Sequence, residues 1–243
     1  MKPRSLQSVF LAAGAVVAVA LVRAPIARAA TPDPPQTRRH HPDHVVPDHS
    51  FADVERWTKV FDDPARDEWQ KPEQVVAALR LGPGAVVADV GAGTGYFTFR
   101  LARAVAPGGR ILAIDTEANM VEHLRGRAES EGVAGVEPIL ATRSDPRIGP
   151  ATVDRILLVD TYHHIHDRVV YLRQLRAALR DGGEVAVVDF HKRPLPVGPP
   201  PEHKMDREEV LAEFLAAGYG LVREETFLPY QYYLIFAPPP GRD

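Results

Sequence analysis

Val86-Val87-Ala88-Asp89-Val90-Gly91-Ala92-Gly93-Thr94-Gly95-Tyr96-Phe97 is an apolar strand that runs into three alternating glycines and then into a helix. Gly91, Gly93 and Gly95 remove side chains where the chain must turn sharply and let a ligand lie against the backbone. The helix that follows points free N–H groups at any carboxylate or phosphate placed there. Asp115 stands twenty residues past Gly95, at the end of a second apolar strand, Arg110-Ile111-Leu112-Ala113-Ile114. A carboxylate there is placed to accept both hydroxyls of a ribose. The stretch therefore reads as a nucleoside-cofactor site.

The spacing separates the possible cofactors. A dinucleotide fingerprint needs G-x-G-x-x-G, and counting from Gly91 the third glycine's place is held by Tyr96, so NAD is disfavoured. The set Asp89-Val-Gly91-Ala-Gly93-Thr-Gly95, with Asp115 closing the second strand and Ser144-Asp145 after the third, resembles the class I S-adenosylmethionine (SAM) dependent methyltransferases of the small-molecule branch. The resemblance extends from Trp57 to Phe236. It implies a Rossmann-like fold with SAM as cofactor. By the same resemblance, Asp89, Gly91, Ala92, Gly93 and Gly95 approach the methionine carboxylate and ribose, and Asp115 takes the ribose hydroxyls. Thr116 and Ser144 adjoin the adenine, Asp145 accepts its amino group, and Asp160 neighbours the methionine end or the substrate. Pro146, directly after Asp145, departs from relatives that carry a longer loop there.

A chain of 243 residues with 45% hydrophobic content and no repeat period suits a single core. Its formal charge is −3, and the first 29 residues hold four bases (Lys2, Arg4, Arg23, Arg28) and no acid, so the remainder is the more acidic part. Nucleic acid is not expected as a substrate, because a phosphate backbone calls for a basic face. Arg100/Arg103 and Arg173/Arg176/Arg180 fall at helical spacing and read as solvated helix faces. A small-molecule substrate is the expected partner, and no motif specifies the acceptor or an oligomeric state.

Residues 1–29 read as a signal peptide: Lys2 and Arg4, an apolar run from Val9 to Val22, then Ala27-Arg28-Ala29 as a cleavage site. Fourteen residues of helix extend about 21 Å, short of the ~30 Å hydrocarbon core, so no stable membrane span is expected after cleavage. The absence of cysteine excludes a lipidated cysteine and a disulfide framework. The expected location is exported, periplasmic or extracellular; an uncleaved membrane anchor and a cytoplasmic protein with a misassigned start are the alternatives. SAM is made in the cytoplasm, so export also raises a second reading, an exported nucleoside- or SAM-binding protein with the same fold and no turnover. Residues 30–50 read as a disordered linker rich in proline and histidine. His40, His41, His44 and His49 lie within it, without the fixed geometry of a metal site.

From Phe51 the pattern turns helical, with Val54, Trp57, Val60 and Phe61 on one face and a second helix opened by Pro72 carrying Val75, Val76 and Leu79. In the resembling family such a segment, here 51–81, lies over the cofactor as a lid. Between the helices, Trp69 covers the methionine end or fills the core, and Gln70 hydrogen-bonds the cofactor. Strands are predicted near Ala85–Val90, Arg110–Ile114, Val136–Leu140, Val153–Val159 and Glu184–Phe190, with helices between them, one ending at Asp181-Gly182-Gly183. After a helix from Asp206 to Ala217, Leu221–Leu228 and Gln231–Phe236 form an antiparallel pair through Pro229-Tyr230. The expected fold is α/β, a doubly wound, mostly parallel sheet of about seven strands with helices on both faces, spanning 51–238 before a short tail, 239–243.

Beyond the fourth strand lies Asp160-Thr161-Tyr162-His163-His164-Ile165-His166, delivered to the crevice where ligands bind in such sheets. Methyl transfer to a hydroxyl, phenol or amine requires loss of a proton, and histidine titrates near 6.5. His163 or His164 is the candidate base; the alternative is that one caps the next helix and the other packs. Metal ligation by His163, His164 and His166 is not expected, since neighbours on an irregular loop need not face one way. His191 and Lys192 meet an anionic substrate or solvent, and Tyr230, Tyr232 and Tyr233 line an aromatic pocket or alternate across the sheet.

Overall fold

The computed structural model describes residues 51 and 53–240. The signal peptide and linker expected over 1–50 lie outside the described residues, as do 241–243 of the tail. Seven strands form one sheet: β1 (Val86–Val90), β2 (Arg110–Asp115), β3 (Val136–Leu140), β4 (Val153–Val159), β5 (Leu179–Phe190), β6 (Gly220–Glu225) and β7 (Gln231–Ala237). Their order is β3-β2-β1-β4-β5-β7-β6. β1 pairs in parallel with β2 and β4, as do β2 with β3 and β4 with β5, whereas β7 runs antiparallel to both β5 and β6. This is the mostly parallel sheet with a C-terminal antiparallel pair that the sequence pattern implies.

Every residue of β1 is buried, which is why its sequence is apolar apart from Asp89 and does not alternate. Alternate residues serve opposite faces. Val87, Ile111, Leu157, Val188 and Ile235 pack against α3 (Pro72–Ala78) and α4 (Thr98–Val105) through Val75, Val76, Leu101 and Val105. Ala88, Ile156, Leu158, Val187 and Leu234 pack against α6 (Arg168–Ala178) and α7 (Arg207–Ala216) through Leu172, Leu175, Val210 and Phe214. Each of these valine, leucine, isoleucine and phenylalanine side chains contributes about 1.5–3 kcal/mol on full burial, and Phe214 adds a stacked contact on Phe236 with centroids 3.8 Å apart. The edge strand β6 carries Arg223, Glu224 and Glu225, charges that oppose pairing with another chain.

The segment expected as a lid, 51–81, contains α1 (Val54–Phe61), α2 (Arg66–Gln70) and α3. Asp53 caps α1, its carboxylate accepting the Arg56 N–H at 3.1 Å, and Pro72 opens α3 as expected. α5 (Ala118–Ser130) covers β2 and β3. Two boundaries differ from the sequence reading. The helix expected to run to Gly182 ends at Ala178, because Leu179 is already extended and pairs with Val153, while Arg180 reaches Asp154 at 3.0 Å. The strand expected to reach Leu228 ends at Glu225, where Phe227 and Leu228 join the core beside Tyr233.

The topology positions the site. From β1 the chain moves outward to β2 and β3, then returns to the other side of β1 as β4. The crevice at such a switch point lies beyond the carboxyl ends of β1 and β4, where Val90 pairs with Leu158. Among the described residues no helix is long and apolar enough to cross a membrane.

Candidate functional site

A cleft opens at this crevice, walled by Val90 and Gly91 after β1, Ile114, Asp115, Thr116 and Glu117 at the end of β2, and Ala141, Thr142 and Arg143 after β3. Thr161, His164, Ile165 and His166 close it from the β4 side, with Phe51 from the lid. Gly91 is required by two independent constraints. Its φ is +79°, and a Cβ would stand 2.2 Å from Thr161 Oγ1. At Gly93, φ +55°, a Cβ would meet the Phe61 ring at an ordinary 3.5 Å.

Asp115 holds the glycine turn to β2. Its Oδ2 accepts the Gly93 N–H at 2.8 Å and its Oδ1 accepts the Glu117 N–H at 2.9 Å. Burial raises its pKa, opposed by backbone donors at Glu117, Gly93 and Thr116. Each carboxylate oxygen retains acceptor capacity, so a ribose diol can still be received. With the apolar walls Val90, Ile114, Ala141 and Ile165, the donors and acceptors present fit an adenosyl group.

Other residues named from sequence fall elsewhere. Asp89 is buried beneath the turn, accepts the Thr98 hydroxyl at 2.6 Å and is pushed up to about 6 by burial, against that hydrogen bond. It ties α4 to β1 and does not line the cleft. Ala92 packs with Phe99 and Leu124. Ser144 and Asp145 are exposed on a turn closed by backbone pairing of Thr142 with Asp145, and Asp145 accepts the Arg147 N–H at 2.7 Å. Thr116 is on the cleft wall; Ser144 and Asp145 are not.

The lid is bonded to this floor. Asp62 accepts the Thr94 hydroxyl at 2.7 Å and pairs with Arg127 at 3.0 Å. Arg66 stands 4.1 Å from the Tyr96 ring centroid, donates to Gln70 Oε1 and pairs with Asp160 at 3.3 Å. Tyr96 in turn donates to Asp67 at 2.5 Å. Gln70 donates to Gln231 Oε1 at 2.7 Å, and Gln231 donates to Asp160 Oδ1 at 2.6 Å. Both ends of the Gln70 amide are thus engaged within the protein, and Trp69 packs near Phe190 and Tyr230, with centroids 5.7 and 6.4 Å away. Asp160 adopts φ +53°, and burial raises it to about 7 despite Arg66.

The histidines separate. His164 lines the cleft, its ring 5.7 Å from that of Phe51. His163 is buried with its ring 4.1 Å from His164, and its Nδ1 lies 2.8 and 3.0 Å from the two carboxylate oxygens of Asp189 near the end of β5. Burial pulls the imidazole pKa down, but the charge and hydrogen bond of Asp189, with Asp160, outweigh it and hold His163 above the ordinary histidine value. Across the β5–β7 pair from Asp189, the buried hydroxyl of Tyr232 makes no hydrogen bond among the described residues. Among the described residues no group of three or more His, Cys, Asp or Glu is placed to hold a metal.

Thr161, Arg66, Gln231 and Asp189 belong to the site without having been singled out from sequence. Asp189 had a signal, as the one acid within the apolar run Val185–Phe190, in the same late-strand place as Asp89 in β1. The other three are ordinary surface residue types whose roles arise from long-range contacts.

Fold, glycine turn and cleft together define a class I SAM-dependent methyltransferase domain, with SAM as its cofactor. Comparison with known proteins agrees: a family profile described as "Methyltransferase domain" matches residues 87–183. The chain is similar to a SAM-dependent methyltransferase from Aquifex aeolicus, 26% identical with a TM-score of 0.72, over 77% of this chain and 98% of that one. It is 30% identical over 120 residues to a ubiquinone/menaquinone biosynthesis C-methyltransferase of Cellvibrio japonicus, 48% of this chain and 47% of the relative. It is also 34% identical over 117 residues, 45% of this chain and 31% of the relative, to an uncharacterized 37.1 kDa transposon protein of Streptomyces fradiae. The chain thus spans less than half the length of these two curated relatives.

Proposed function

We propose that this protein transfers the methyl group of SAM to a small-molecule acceptor bearing a hydroxyl, phenol or amine, with the His163-His164 turn accepting the acceptor's proton. SAM, when bound, supplies an electrophilic methyl on a sulfonium sulfur. Gly91 to Gly95 receive the methionine carboxylate and ribose on bare backbone, Asp115 takes the ribose hydroxyls, and Thr116 with Ala141–Arg143 borders the adenine. Asp160 stands beside the methionine end. Phe51 and Phe61 of the lid exclude water over this region, where positioning and desolvation lower the barrier.

The observation that carries this reading is the placement of the Gly91–Asp115 cleft wall and the His163-His164 turn on either side of one crevice. The Cellvibrio relative, named as a C-methyltransferase of ubiquinone/menaquinone biosynthesis, supports a small-molecule acceptor and makes carbon a further acceptor atom to probe. The test is calorimetric titration with SAM and S-adenosylhomocysteine, followed by transfer of labelled methyl to a panel of phenols, hydroquinones and amines. Absence of heat for both nucleosides refutes the reading; binding without transfer to any probe favours a binding protein without turnover. We further propose export by residues 1–29, which cell fractionation checks: the full-length band remaining in the cytosol refutes it.

A further inference from the structure

We propose that Asp189 is a positioning residue for His163, fixing the proton on Nδ1 so that Nε2 is the open proton-accepting site. This deepens the methyl-transfer reading and rests on it. Both Asp189 oxygens lie within hydrogen-bond distance of His163 Nδ1, at 3.0 and 2.8 Å, and the carboxylate is fully buried. One of those oxygens also accepts the Phe190 N–H at 2.8 Å, which pins the carboxylate to β5. An ionised carboxylate only accepts, so Nδ1 carries the hydrogen. Nε2 makes no hydrogen bond among the described residues, and the side chain retains 5% exposure. The imidazole packs on His164, which is part of the cleft wall.

The chemistry follows from this order. A proton leaving the acceptor's oxygen or nitrogen passes to Nε2 as that oxygen or nitrogen bonds to the methyl carbon, the carbon–sulfur bond breaking with its electron pair left on sulfur to give S-adenosylhomocysteine, and the resulting imidazolium sits against the Asp189 carboxylate until water removes the proton. The charged groups around His163 are Asp189 on β5, Asp160 beyond β4 and Arg168 on α6, with His164 against its ring and Arg66 of the lid paired to Asp160. The two acids outweigh burial and hold the imidazole's pKa up. The neutral, proton-accepting form therefore grows as pH rises through a midpoint above the ordinary histidine value.

Asp189→Asn separates positioning from bulk structure. The asparagine keeps its volume, its carbonyl stays on the Phe190 N–H, and its NH2 faces Nδ1, which must then accept and leave the hydrogen on Nε2. The experiment is ¹⁵N imidazole NMR of the full chain, with and without S-adenosylhomocysteine, the His163 signal being assigned by its loss in His163→Gln. The same samples are assayed for labelled-methyl transfer to the probe panel. Wild type is expected as the Nδ1–H tautomer and the variant as Nε2–H. The variant's kcat should fall about 10²–10⁴-fold while KM for SAM stays within about twofold. An Nε2–H wild type overturns the proposal without any variant. So does a variant that keeps Nδ1–H, or one whose tautomer flips while kcat is retained. A wild type that binds neither nucleoside, or methylates no probe, sinks the methyl-transfer reading instead, and the wild-type tautomer still decides whether Asp189 positions His163.

Discussion

Gly91→Ala would set a methyl group 2.2 Å from Thr161 Oγ1, 2.5 Å from its Cγ2 and 2.9 Å from its Cβ. All three contacts fall on one β-branched side chain, stiff at χ1 and held by a hydrogen bond to the Val159 carbonyl at 2.9 Å. Two costs add. A left-handed backbone costs an L-residue about 1–2 kcal/mol, and forcing a methyl into packed space costs about 1–3 kcal/mol more. The variant should therefore lose roughly 2–5 kcal/mol in urea unfolding. Gly93→Ala shares only the backbone cost, because its Cβ would find the Phe61 ring at 3.5 Å, so about 1 kcal/mol is expected. Thr161→Ala removes the two shortest contacts, Oγ1 and Cγ2, and leaves only Cβ at 2.9 Å, so the double variant should recover much of the packing share as a coupling of about 1–2 kcal/mol. An additive cycle, with coupling under about 0.5 kcal/mol, would refute the argument that Thr161 is what excludes a side chain at 91. Equal losses for the two alanine variants would do the same.

Asp115→Ala should weaken binding of SAM and S-adenosylhomocysteine by about 1–3 kcal/mol in calorimetry. Unchanged affinity would mean that the ribose lies elsewhere. Asp89 holds its proton up to about pH 6 in the fold against an ordinary value of 3.8, so its contribution to stability is complete below 3.8 and is lost as pH rises through 6. Asp89→Asn keeps an acceptor for Thr98 without the buried charge; it should gain on wild type above pH 6 and match it in acid, and a variant less stable at both ends counts against burial as the cause of the shift. Tyr232→Phe removes an unpartnered buried hydroxyl, so denaturant midpoints should stay level or rise by up to about 1 kcal/mol equivalent. A clear loss would reveal a bond to that oxygen.

The features legible along the chain are local in origin. The apolar run Val86–Val90, the glycines at 91, 93 and 95, the acid at 115 and the alternation of strand and helix are each encoded within a few residues. They specify strand, turn and helix through φ, burial and period, and from these came the doubly wound fold and the nucleoside cleft. Tertiary structure alone decided which polar residues meet. Asp189 reaches His163 across 26 residues, Arg66 reaches Asp160 across 94, and Gln70 reaches Gln231 across 161. It also left Asp145 on an exposed turn and drew Gln70 into a buried amide network. The physical reason is that side-chain partners are set by strand order and by the seat of the lid on the sheet. Both are consequences of packing the whole core, and no window of residues along the chain contains them.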